Sequence, residues 1–207
     1  MKGKFVTFEG CEGAGKSRQV KLLEQYLIDN NIKYYITREP GGTSISEQIR
    51  SVILDGKNTA MTDECEVLLY AASRVQLIKE EILPRLERGE LVICDRYVDS
   101  SLAYQGYARG MGYEFVAKMN DFAIQTLLPD CTVFLDLTPT EAFKRKGGAD
   151  KDDRLEQSGL EFHERVYKGY KELSKIYASR YLVIDPRGTR EETHAKIVKA
   201  LKDKGVL

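Results

Sequence analysis

The chain carries no surplus of charge. Across 207 residues, 32 Lys and Arg stand against 32 Asp and Glu. Proteins that grip nucleic acid through its phosphates show a basic excess, so bulk nucleic-acid binding is excluded while a local basic pocket is not. Cysteine is scarce. Cys11, Cys65, Cys94 and Cys131 form no CxxC pair, which argues against a metal knuckle. Reduced cysteines fit the cytoplasm. Cys94 and Cys131 lie in apolar runs and read as buried small hydrophobes, Cys11 as filler of a loop. No apolar run approaches the roughly 20 residues that cross a bilayer. The opening MKGKFVTFEG has too short an apolar stretch for a secretory signal. Repeats and an interdomain linker are also lacking. These absences leave one ordinary domain over 1–207, 42% apolar and 31% charged, long enough for a sizeable core.

Five short β-rich runs are present, at 4–9, 33–38, 91–95, 132–136 and 181–185. Most lack polar alternation, as strands buried on both faces do. Helical patterns separate them. Val20, Leu23, Leu27 and Ile28 make one stripe. Val67, Leu68, Ala71, Val75, Ile78 and Ile82 make another, in a long helix over 62–87 loosely capped by Thr62. Further helical patterns cover about 44–54, 113–127, 139–146, 157–178 and 190–203. Strands alternating with helices predict an α/β fold, a three-layer doubly wound sheet of five parallel strands. Each strand ends near charged residues: Glu9 and Glu12, Arg38 and Glu39, Asp95 and Arg96, Asp136, Asp185 and Arg187. Parallel strands bring such ends to one edge, where doubly wound folds bind ligands.

GCEGAGKS, residues 10–17, follows a strand and opens a helix, the context of a phosphate-binding P-loop. Gly10 and Gly15 let the backbone turn its N–H groups inward, with Cys11, Glu12, Gly13 and Ala14 between them, and the helix N-terminus adds partial positive charge. Lys16 is positioned to reach the β- and γ-phosphates of ATP, and the Ser17 hydroxyl to bind Mg²⁺. The loop alone names no reaction. A guanine-reading NKxD stretch is absent, which disfavours a GTPase. A kinase needs a second anion site, and Arg38, Arg50, Arg74 and Arg96 are candidates for it.

The segments FEGCEGAGKS, REPGGT, YAASR, DRYVDSSLAYQG and DRLEQ occur in the order of the thymidylate kinase family, and the chain closely resembles that family from residue 5 to about 160. The resemblance implies a P-loop nucleoside monophosphate kinase-like fold with a short lid at about 144–155. It implies transfer of the γ-phosphoryl of Mg²⁺-ATP to dTMP, in dTTP synthesis. Arg96 and Arg74 match positions that hold the acceptor phosphate and base. Arg38 and Glu39 line the acceptor cleft, and Arg50 lies near the phosphate or base. Tyr70 matches a ring against thymine, Ser101 and Gln105 polar contacts to the base, and Tyr104 a ring beside the sugar. Glu12 would accept a hydrogen bond from the sugar 3′-hydroxyl. Asp95 would orient Mg²⁺ with Ser17. A homodimer is implied, with the 62–87 helix as a plausible interface.

Some family members carry an arginine in the loop where this chain has Gly13, and others place catalytic cations in the lid. Arg154 matches such a lid position, with Lys151, Lys146 and Arg145 as further candidates. Arg145 would alternatively stack on adenine. Where some lid-arginine members have several arginines, this chain reads Gly147, Gly148 and Ala149. The expected catalytic set is therefore Lys16, Asp95, Arg96 and Arg154. Two other readings stay open on the residues themselves: a kinase of another small deoxynucleotide, and a nucleotide-dependent P-loop switch or partner-binding ATPase.

Overall fold

The computed structural model describes residues 3–146 and 158–207. Five strands, β1 (Phe5–Glu9), β2 (Tyr34–Arg38), β3 (Leu91–Asp95), β4 (Cys131–Leu135) and β5 (Tyr181–Ile184), form one sheet in the order β2-β3-β1-β4-β5. All four pairings are parallel. Each strand lies within a residue of its expected bounds. β1 shows why no polar alternation was visible: all five of its residues are buried. Val6 and Phe8 pack toward one helical layer, and Phe5 toward the other.

The first layer contains α1 (Lys16–Asp29) and α10 (Arg190–Asp203). Leu23, Leu27, Ile197 and Leu201 are fully buried there against Ile93, Val133 and Leu135. Burying each such side chain contributes about 1.5–3 kcal/mol. Ile28, expected on the α1 stripe, is instead 52% exposed, because it lies one position past the face that Leu27 closes. On the other face lie α2 (Ser44–Leu54), α3 (Asp63–Leu77) and α4 (Leu83–Glu87), followed in the chain by α5 (Val98–Ser101), α6 (Tyr113–Met119) and α7 (Asp121–Thr126). Then come α8 (Pro139–Lys146) and α9 (Gly159–Ile176).

Two expected helices are interrupted. The 62–87 pattern is broken by a π-helical turn, Ile78–Ile82, between α3 and α4. The 113–127 pattern is divided at Asn120, which ends α6 and precedes α7. A second π-helical segment, Leu102–Ala108, follows α5. Thr62 does cap α3, accepting from Cys65 N at 3.2 Å. Of the expected stripe, Val67, Ile78 and Ile82 are fully buried, Ala71 is 9% exposed and Val75 is half-buried, while Leu68 is 52% exposed.

Candidate active site

The charged strand ends converge as expected of a parallel sheet. Register places Arg38 beside Asp95 and Asp95 beside Phe8. A cavity of about 440 Å³ opens over this edge. Its wall includes Glu12, Gly13, Gly15, Lys16, Ser17, Arg38, Glu39, Arg50, Tyr70, Arg74, Asp95, Arg96, Ser101, Tyr104, Gln105 and Arg145. Gly10, Cys11 and Ala14 lie behind that wall. Cys11 and Ala14 pack into the core under the loop, and burial pushes the Cys11 thiol up to about 12, which leaves it unreactive. Asp136 and Arg187 are engaged elsewhere, with Lys171 and Glu141 respectively. Arg154 and Lys151 lie outside the described residues, as does most of the expected lid.

Gly10 must be glycine. Its φ is +139°, and a Cβ there would meet the Leu135 carbonyl oxygen at 2.9 Å. Helix α1 opens at Gly15 with no side-chain cap, so its first N–H groups face the loop. Lys16 Nζ donates to the carbonyls of Gly10 (2.9 Å) and Cys11 (3.1 Å). Burial, followed by the neighbouring Arg96, lowers its pKa. Ser17 Oγ donates to Asp95 Oδ2 at 2.9 Å. A hydroxyl and a carboxylate side by side are hard oxygen donors and fit Mg²⁺. Among the described residues no group of three or more His, Cys, Asp or Glu gathers as a metal site.

Arg96 has a left-handed backbone, φ +73°. Such a conformation costs a non-glycine residue of order 1–3 kcal/mol and persists only where its surroundings impose it. Glu9 supplies that restraint. Fully buried at the end of β1, it accepts from Tyr97 N (2.8 Å), Ser100 Oγ (2.7 Å) and Tyr170 Oη (2.7 Å). Burial pushes its carboxyl up to about 7; Asp99 adds to the rise and Arg96 opposes it. The Arg96 guanidinium thereby spans two regions. It pairs with Glu12 and donates to Gly10 O (3.3 Å) in the phosphate loop, and donates to Ser100 Oγ and Tyr104 Oη (3.2 Å each) on the far wall.

That far wall is held rigidly. Arg74, 1% exposed, donates to Glu39 (2.8 Å), Ser101 Oγ (3.1 Å), Asn120 and the Tyr97 carbonyl (3.2 Å). Burial pushes the Glu39 carboxyl up to about 7, with Arg74 pulling it back. Arg38 and Arg50 both donate to the Pro40 carbonyl, at 3.0 and 2.8 Å. At the opposite end Arg145 donates to Pro186 O at 3.2 Å. Sequence reasoning did not assign Arg18, Pro40, Leu54, Ser100 and His163 to the cavity, though they line it. Ser100 was the most accessible of these, since it adjoins Ser101 in the DRYVDSS run. His163, on α9, offered no sequence signal.

A strand, glycine loop and uncapped helix beside a second, arginine-lined chamber define a P-loop phosphotransferase of the nucleoside monophosphate kinase-like class. The family model for thymidylate kinase matches residues 8–197. Relatives named thymidylate kinase include those of Thermoanaerobacter sp. strain X514, 46% identical over 98% of both chains. That of Caldanaerobacter subterraneus subsp. tengcongensis is 47% identical over 98% of this chain and 97% of its own. That of Bacillus pumilus is 44% identical over 98% and 97%. The chain belongs to the thymidylate kinase family, the one its motifs predicted.

Proposed function

We propose that the protein transfers the γ-phosphoryl group of Mg²⁺-ATP to dTMP, giving dTDP and ADP for dTTP synthesis. The observation that carries this is the position of Arg96, whose guanidinium bonds both to the donor loop and to the acceptor wall. A cation so placed neutralises charge on a phosphoryl group passing between the two regions. In phosphoryl transfer, positioning and charge stabilisation supply most of the rate. Lys16 and the α1 N-terminus hold the donor phosphates. Ser17 and Asp95 would hold Mg²⁺, which would supply positive charge to offset the negative charge of the phosphates. Arg38 and Arg50 lie on the phosphate side of the acceptor chamber. Tyr70, Ser101 and Gln105 face the base, and Tyr104 the sugar. The N–H groups of Arg74 are spent on protein acceptors, so its part is to fix Ser101 and Glu39.

Three further readings rest on the resemblance: a catalytic cation from Arg154, adenine stacking by Arg145, and a homodimer. Exposed Leu68 on α3 and Val52 on α2 are compatible with the last. No described helix is long and apolar enough to cross a membrane. The test of function is a coupled ADP-release assay with dTMP, dUMP, dCMP and dAMP. Activity should be highest with dTMP. Rejection of dUMP should be partial, since one methyl is worth about 1–3 kcal/mol. A maximum on dCMP or dAMP would overturn the assignment. ATP turnover indifferent to every monophosphate would favour a nucleotide-dependent switch.

A further inference from the structure

The base-facing wall has a fixed hydrogen-bond polarity, and its origin lies outside the cavity. Gln105, 1% exposed, sits in the segment Leu102–Ala108 and lines the chamber. Its Nε2 donates to Glu66 Oε1 at 2.8 Å. Glu66, from α3, is itself fully buried. Arg109 donates to the same carboxylate, Nη2 to Oε2 at 3.0 Å and Nε to Oε1 at 3.4 Å. Both carboxylate oxygens of Glu66 therefore face N–H donors, Oε1 those of Gln105 and Arg109 and Oε2 that of Arg109, so toward these partners Glu66 only accepts. An acceptor-only partner takes the NH₂ end of an amide and not its oxygen. The direction of the Gln105 amide is thereby set. Among the described residues no donor reaches Gln105 Oε1, so that oxygen is the end left for a ligand.

Ser101 completes the pattern. Its Oγ accepts from Arg74 Nη1 at 3.1 Å, which leaves its own proton to donate. The wall thus offers an acceptor at Gln105 and a donor at Ser101. A thymine or uracil ring presents the complement, an N–H at N3 beside a carbonyl at C4. A cytosine ring presents the reverse, a bare N3 beside an amino group. We propose that Glu66 is a positioning residue for base specificity: by fixing Gln105 with its carbonyl toward the base, it selects a pyrimidine with a proton on N3.

This inference rests on the dTMP kinase reading and deepens it. The discriminating pair is dTMP and 5-methyl-dCMP, which share the methyl and the sugar and differ in the polarity of the ring edge. Wild-type kcat/KM should favour dTMP by at least about 10³-fold, as for sites built around a specific polar group. In Glu66→Gln the new amide can donate as well as accept, so Gln105 is free to turn. The preference should then narrow at least about tenfold, with the loss on the KM for dTMP and the KM for ATP unchanged. In a Gln105→Met background, Glu66→Gln should have no further effect on the preference, because the two residues act as one unit. If Glu66→Gln does not fold, Glu66→Asp withdraws the carboxylate by one methylene and should narrow the preference by a smaller factor. An unchanged preference in a folded Glu66 variant overturns the inference and leaves the dTMP assignment standing. A wild-type enzyme inactive on dTMP overturns the assignment itself.

Discussion

Arg96 concentrates the chemistry of this site in one strained residue. Its left-handed backbone and its contacts with both the phosphate loop and the facing wall occur together because Glu9 holds the following peptide, Tyr97 N, in place. The strain separates function from stability. Arg96→Ala and Arg96→Gly both remove the guanidinium, and kcat/KM for dTMP should fall at least about 100-fold in each, the scale seen when one transition-state donor is lost. Only glycine relieves the backbone, by about 1 kcal/mol relative to alanine. For a domain of this size that corresponds to a Tm roughly 2–4 °C higher for the glycine variant, measurable by calorimetry. Equal melting temperatures would mean that the turn is not strained. Glu12, the partner of Arg96 in the phosphate loop, lines the cavity that the loop shares with the arginine-lined chamber, and in the proposed function it is assigned to the dTMP sugar. Glu12→Ala should therefore raise the KM for dTMP more than that for ATP. Initial rates with each substrate varied in turn would check this, and the reverse order would return Glu12 to the donor side.

At the scale of elements, the strands and the phosphate loop were legible because local signals determine them: buried β-rich runs, and glycines at fixed spacing. The wall facing the phosphate loop, to which the resemblance assigns the acceptor, carried no local signal beyond its motifs. Its geometry depends on the π-helical segment Leu102–Ala108, which carries Tyr104 and Gln105, and on a helix break at Asn120, where Arg74 donates to the asparagine side chain. No periodicity in sequence encodes such a break, since tertiary partners impose it. The same holds for His163 and Tyr170, which reach the site region from α9, far along the chain. That helix lies against the second π segment at Gly169, where a Cβ would stand 2.9 Å from Tyr107 Cβ and 3.0 Å from its Cγ. Tyr107 is anchored there near its backbone and cannot swing its ring aside cheaply. Gly169→Val gains little helix propensity and adds three carbons to a closed contact, so crowding of about 1–3 kcal/mol should prevail. We expect a Tm several degrees lower and a raised KM for dTMP, because Tyr104 and Gln105 ride on the displaced segment. A variant with wild-type Tm and KM would show that α9 does not brace the wall.

For the whole molecule, the site makes folding stability depend on pH in an unusual direction. Glu9 and Glu39 are both pushed from 4.5 up to about 7 by burial at the sheet edge. A carboxyl whose pKa is higher in the folded state binds its proton more tightly there. Its stabilising contribution is complete below about 4.5 and is lost as pH rises through about 7. His194, whose pKa burial lowers, works in the opposite sense, losing stability as pH falls below 6.5. The contribution of Glu9 can be isolated by difference. Glu9→Gln keeps the shape and removes the titration, and its unfolding free energy should decline less steeply than wild type between pH 5 and 7. The gap between the two curves should change by at most about 3 kcal/mol over that range. Urea denaturation at half-unit pH steps measures it directly. If the two curves run parallel from pH 5 to 8, the Glu9 carboxyl is ionised throughout, held by the donors of Tyr97, Ser100 and Tyr170 against its burial.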